Sequence, residues 1–179
     1  MEHFAMVDIN KISVKFSEDK LHRIYLSIPF KNRTNKKTLC IIGQNPSKAN
    51  EIESDRSITF LEEQVYNIYT EYSEIIIVNL FSRIDKKREF SSDLSRPEFE
   101  NDLLEIINKN NDILLILGQT EQDGAYNFKE QFNKIKKDLE SKNIFRLDIN
   151  KEIDYPPHPN NPQLLYKKVK FKMIDYAIR

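Results

Sequence analysis

Leu39-Cys40-Ile41-Ile42-Gly43-Gln44-Asn45-Pro46 reads as a buried strand that stops on two amides and a tight turn. Four consecutive apolar residues leave no polar face, as a parallel strand covered by helices on both sides requires. Gly43 permits close backbone approach, and Pro46 fixes the turn that follows. Two later segments share the form: Ile75-Ile76-Ile77-Val78-Asn79-Leu80 and Ile113-Leu114-Leu115-Ile116-Leu117-Gly118-Gln119. Open α/β sheets bind ligands outside the carboxyl ends of such strands. The strand-ending amides, together with His158 in the stiff loop Pro156-Pro157-His158-Pro159, are therefore expected to converge on one crevice.

Between these strands the apolar spacing changes to that of a helix. Ile58, Leu61, Val65, Ile68 and Tyr72 recur at steps of three and four, as do Phe128, Phe132, Ile135 and Leu139. A third helix is expected from Ser95-Arg96-Pro97-Glu98, with Ser95 capping and Pro97 needing no donor in the first turn, and with Phe99, Leu103 and Ile106 as its buried stripe. Ile144-Phe145-Arg146-Leu147 supplies a further strand. The alternation predicts an α/β three-layer sandwich around a central, mostly parallel sheet. Ahead of it, Ile12 to Phe16 and His22 to Ile28 alternate as half-buried strands, with Ser17 to Lys20 turning them into an N-terminal hairpin. Lys151 to Pro162 is expected to be irregular, and Leu164 onward to be helix or strand.

A length of 179 residues suits one domain with a substantial core. Lys plus Arg and Asp plus Glu balance at 28 each, so net charge neither demands nor excludes a polyanionic partner. The single cysteine, Cys40, lies within a predicted buried strand and reads as a small core residue in a reducing compartment. Three scattered histidines and one buried cysteine make no credible metal set, and no glycine-rich phosphate loop is present, which argues against a nucleotide-hydrolysing enzyme. No cofactor is expected. With no signal peptide and no apolar run of membrane length, the expected setting is cytoplasmic, without a membrane partner.

Chemistry is carried by a few side chains. Gln44 and Asn45 each offer a donor and an acceptor that can orient a water or hold a base edge, although Asn-Pro is also simply a stable turn. Asn79 ends four aliphatic residues, and a buried amide must find a partner in a ligand or in a neighbouring loop. His158, held between prolines, can stabilise negative charge on a leaving group, or stand as an exposed loop residue. His3 and His22 lack a comparable setting.

Together these segments resemble the uracil-DNA glycosylase superfamily. There, a strand-ending Gly-x-Asn-Pro or Gly-Gln-Asp-Pro segment positions the attacking water, which Gly43-Gln44-Asn45-Pro46 matches with Asn45 at that place. A later aliphatic strand ends in an asparagine that reads the base, matched by Asn79, and a His-Pro loop supports the departing base, matched by His158-Pro159, with Leu164 as a candidate wedge. A second resemblance covers more of the chain: domain of unknown function family 1643, whose members look like Asn-Pro-Ser-x-Ala, an Asp followed by Thr or Ile, Val-Asn-Leu-Phe and Pro-x-His-Pro. Here these are Asn45 to Ala49, Asp55 with Ile58 and Thr59, Val78 to Phe81, and Pro156 to Pro159.

The resemblance implies one glycosylase-like α/β domain: an N-terminal hairpin over 1–37, a core over 38–166 and a C-terminal extension over 167–179. It also implies hydrolysis of a base–sugar N-glycosidic bond in nucleic acid, with a nucleotide- or nucleic-acid-binding module in the same crevice as the alternative. Asn45 would position the water, Gln44 and Asn79 would contact the base with Asn79 both donating and accepting, and His158 would stabilise its charge. Phe81 or Phe60 would stack on it. The superfamily's most active members carry an aspartate where Asn45 stands, and an amide cannot accept a proton. Asp55 is the candidate substitute carboxylate, with helix N-capping as its other reading. Lys48, Lys86, Lys87, Arg88, Lys167 and Lys168 would contact phosphates at the rim, or form a solvated face.

Overall fold

The computed structural model describes residues 1–85, 92–119, 128–166 and 168–178. In chain order they form β1 (Ser13–Phe16), β2 (Arg23–Pro29), β3 (Lys37–Gly43), α1 (Arg56–Ile68), β4 (Tyr72–Asn79), α2 (Pro97–Lys109), β5 (Asp112–Ile116), α3 (Lys129–Leu139), β6 (Asn143–Leu147), α4 (Pro162–Leu165) and β7 (Met173–Asp175). The strands make one mixed α/β sheet in the order β1-β2-β4-β3-β5-β6-β7. Its centre, β4-β3-β5-β6, is parallel, as the apolar runs predict. The expected hairpin is present as β1 and β2, with Lys20 at φ 57° in its turn. It continues the central sheet: β2 runs antiparallel to β4, with Tyr25 opposite Val78 and Ile28 opposite Ile75. β7 closes the far edge, antiparallel to β6.

Strand alternation divides the core in two. Leu39 and Ile41 of β3 face Ile58, Leu61 and Val65 of α1. Cys40 and Ile42 face the opposite layer, with Leu103 and Ile107 of α2 and Ile135 and Leu139 of α3. Each such fully buried aliphatic side chain contributes about 1.5–3 kcal/mol relative to exposure. Burial pushes the Cys40 thiol up to about 12, so it is an inert core group.

Three expectations are corrected. Tyr72 is not the last residue of α1: the helix ends at Ile68, and Tyr72 opens β4, where its hydroxyl donates to Asp112 Oδ2 at 2.7 Å. Ser95 does not cap α2; Arg96 is the N-cap, without a side-chain cap bond, and Pro97 holds the first turn. Leu164 is buried in the α1-side core, in the short α4, and cannot wedge into a duplex.

α1 carries the chain from β3 to β4 on one face, and α2 carries it from β4 back past β3 to β5 on the other. The connections diverge between β3 and β5. This is the topological switch point of a doubly wound sheet, where a crevice must open at the strands' carboxyl ends.

Candidate functional site

A cavity of about 640 Å³ lies at that switch point. Gly43 to Ser47 border it after β3, Ile116 to Gln119 after β5, and Asn79 at the end of β4. The first residues of α1, Asp55 to Ile58, and the loop residues His158 and Asn160 complete its wall. Gln44, Asn45, Asn79, His158 and Asp55 are thus brought together, although Asn45 and His158 are more than one hundred residues apart in sequence.

Local backbone choices put each group there. A Cβ on Gly43 would come within 2.7 Å of Asn79 Nδ2, so the missing side chain is the space the Asn79 carboxamide occupies. Asn79 Oδ1 accepts a hydrogen bond from Arg23 Nη2 at 3.3 Å. A guanidinium only donates, which fixes the amide orientation: the oxygen faces Arg23, and the NH₂ lies over Gly43. Asn45 is different. Both polar atoms of its carboxamide are buried and meet no hydrogen-bond partner among the described residues.

The histidine loop is tied to the sheet by Gly118, at φ 73°, whose N–H donates to Pro156 O at 2.8 Å. The backbone N–H of Asn160 donates to His158 Nδ1 at 3.1 Å. Nδ1 is thereby used as an acceptor, which leaves Nε2 as the ring nitrogen that carries a hydrogen. Across the rim, Ser57 Oγ donates to Asn160 Oδ1 at 3.0 Å, joining this loop to the start of α1. Asp55 is the N-cap of α1, with Oδ1 accepting from Ser57 N at 2.9 Å and Ile58 N at 3.1 Å.

Two residues of the site were not legible in the sequence. Arg23, on β2, lines the cavity yet is only 2% exposed. Besides Asn79 it reaches Ala49 O at 3.2 Å and Ser47 Oγ at 3.4 Å, bracing the loop after β3. Burial lowers its guanidinium to about 10, and Asp55 acts against that through space. His3 braces the same loop from outside, with Nε2 donating to Asn50 O at 2.9 Å and Nδ1 facing the buried Glu62 Oε1 at 2.6 Å. Burial disfavours its charge, but Glu62 and the Asn50 carbonyl outweigh that, and its pKa is raised. Arg23 looked like one more residue of an alternating strand, and nothing near His3 in sequence announces partners 47 and 59 positions away.

Other expected site residues fall elsewhere. Phe81 is buried in the α2–α3 core, and Phe60 packs on the α1-side core, 5.6 Å from Phe171 in an edge contact. Neither borders the cavity, so neither is placed to stack on a ligand there. Lys48 and Lys168 are exposed and also lie off the cavity wall. Lys86, Lys87, Arg88 and Lys167 lie outside the described residues.

His22 has a richer setting than its sequence promised. Its Nδ1 lies 2.8 Å from Ser82 Oγ and its Nε2 3.3 Å from Asp93 Oδ2. This grouping has the composition of a nucleophilic triad but not its access: His22 and Ser82 are buried, and Asp93 is engaged by Arg83 and Arg96. Burial lowers the His22 pKa despite Asp93, and the cluster braces the β2 turn against the segment before α2. Among the described residues no group of three or more His, Cys, Asp or Glu could hold a metal ion, and no helix is long and apolar enough to cross a membrane.

The model of the family described as protein of unknown function (DUF1643) matches residues 23–160, and the chain belongs to that family. The matched span opens at Arg23 and closes at Asn160, both on the cavity wall. No curated protein and no solved structure matches the chain.

Proposed function

We propose that this DUF1643 protein hydrolyses the bond between a nucleobase and its sugar, in the manner of the uracil-DNA glycosylase superfamily it resembles. The observation that carries the reading is the Asn45 carboxamide, buried with neither polar atom paired, in a cavity shared with Asn79 and His158. Each unmet buried group costs about 1–3 kcal/mol, which a bound water and ligand would recover. Asn45 holds the water against the anomeric carbon. As the water oxygen bonds to that carbon, the carbon–nitrogen bond breaks and its electron pair leaves with the base. His158 Nε2–H hydrogen-bonds the anionic base, and Asn79 donates to a base acceptor. Asp55 Oδ2, the carboxylate oxygen not used in the helix cap, takes the water's proton and passes it to solvent or to the base.

One observation favours a second reading, a nucleotide- or nucleic-acid-binding module without hydrolysis. Asp55 is committed to capping α1, and Asn45 has no basic character. The two separate in one assay. Oligonucleotides and nucleotides bearing uracil, damaged or modified bases are incubated with the protein, and free base is measured together with abasic sites after alkaline cleavage. Base release that disappears in Asn45→Ala and His158→Ala supports the enzyme. Binding that weakens with salt and releases no base supports the module.

A further inference from the structure

Arg23 is a buried cation in the cavity wall with no acidic side chain in contact among the described residues. Other buried charges are paired: Glu62 by His3 at 2.6 Å, and Asp112 by Lys37 at 2.6 Å. Arg23 has no carboxylate within 4.0 Å among the described residues, and its three hydrogen bonds go to a carbonyl, a hydroxyl and an amide oxygen. Its Nε meets no partner. Burying an unpaired charge is costly, and neutral acceptors return only part of that cost. Among the described wall residues a second cation, Arg56, stands against one carboxylate, Asp55. Arg23, Arg56 and Asp55 together carry a net positive charge.

We infer that Arg23 is the anion subsite of this crevice, and that the substrate is a free nucleotide whose terminal phosphate seats on it. The inference rests on the nucleobase reading and names its substrate class. Depth separates a mononucleotide from a polymer. A phosphodiester backbone runs along a rim and leaves its charge in solvent, whereas a guanidinium that is 2% exposed sits below that rim, suited to the terminal group of a small molecule that enters the cavity. The volume of about 640 Å³ lies within the range that encloses such ligands, about 300–1,000 Å³. With Nη1 donating to Ser47 and Ala49 and Nη2 to Asn79, the Nε–H and the second Nη2–H are the donors left for a phosphate oxygen.

The test compares the four ribonucleosides, their 5′-monophosphates, inorganic phosphate and single-stranded oligonucleotides by calorimetry on the whole chain. At least one monophosphate should bind about tenfold or more tighter than its nucleoside, as expected when a charged hydrogen bond is added. In Arg23→Gln that advantage should vanish. Should Arg23→Gln fail to fold, the Nε–H resonance of Arg23 in the wild-type protein, followed by ¹⁵N NMR, provides the second readout and should move on titration with inorganic phosphate. Equal affinity for nucleosides and monophosphates, tighter binding of oligonucleotides, or an Nε–H signal indifferent to phosphate would each overturn the inference. Base release from oligonucleotides under those outcomes would leave the glycosidic reading standing without it.

Discussion

At the amino end of β5, Asp112 is buried and fully engaged; at the carboxyl end of β3, the half-buried Asn45 turns inward a carboxamide whose two polar atoms are buried and meet no partner among the described residues. Asp112 Oδ1 accepts from Asn143 Nδ2 at 2.8 Å, and Oδ2 accepts from Tyr72 and Lys37. Burial raises the cost of its charge, but these donors outweigh it and hold the carboxyl below its ordinary range, while burial and the Asp112 contact push the Tyr72 phenol up. At the opposite end, the Asn45 amide and Arg23 Nε have no partner, and Gly43 is cut back to admit Asn79. One end of the same strands is satisfied by the fold itself. The other is left open by the fold, which is what the proposed recognition site requires and a structural polar cluster does not.

The sharpest way to break this contrast is Asp112→Ala. It strands the Tyr72 hydroxyl and the Asn143 amide and should lower unfolding free energy by about 3 kcal/mol in urea titration. A loss under about 1 kcal/mol would mean the amino end is not the anchored one. Asn45→Ala should do the reverse. Because no hydrogen bond within the protein is lost, stability should stay within about 0.5 kcal/mol of wild type. Base release should fall about 100-fold. A large stability loss would show that Asn45 is structural after all.

Gly43→Ala sharpens the comparison further, since the added methyl must displace the Asn79 amide. The expected cost is about 1–2 kcal/mol, with weaker ligand binding. Unchanged binding and stability would mean that Asn79 yields freely. The smallest effect concerns pH. His3 has a raised pKa in the folded protein, so its contribution is present below the ordinary value of 6.5 and fades as pH climbs through the raised value. His22 is lowered, so stability falls as pH drops from 6.5 through its folded value. His3→Gln should flatten the alkaline decline in the urea midpoint and leave the acid limb intact. An unaltered alkaline limb would remove His3 from the account.

The parallel centre of the sheet was legible because Leu39 to Ile42 and Ile113 to Ile116 have no polar face, and only a strand covered on both sides tolerates that. Asn45, Asn79 and His158 were legible for a related reason, since each stands where a stiff element stops. Tyr72 was misplaced because helical spacing continued for one residue past a chain reversal, which periodicity cannot register. The aromatic pair Phe60 and Phe81 failed differently: an aromatic residue near a crevice in sequence is as well suited to the core, and burial decides. Arg23 was invisible because its role depends on β2 lying beside β4, and antiparallel additions to a doubly wound sheet leave no spacing signature around the crevice itself.

That placement of Arg23 has an evolutionary corollary. The guanidinium arrives on a ribbon, β1 and β2, added beside the repeating strand–helix units rather than woven into them. Exchanging residue 23 alone would place a different chemistry beneath Asn79 while leaving the order of the parallel strands unchanged. Descendants of such an exchange would share the pocket's outline and diverge in what they accept.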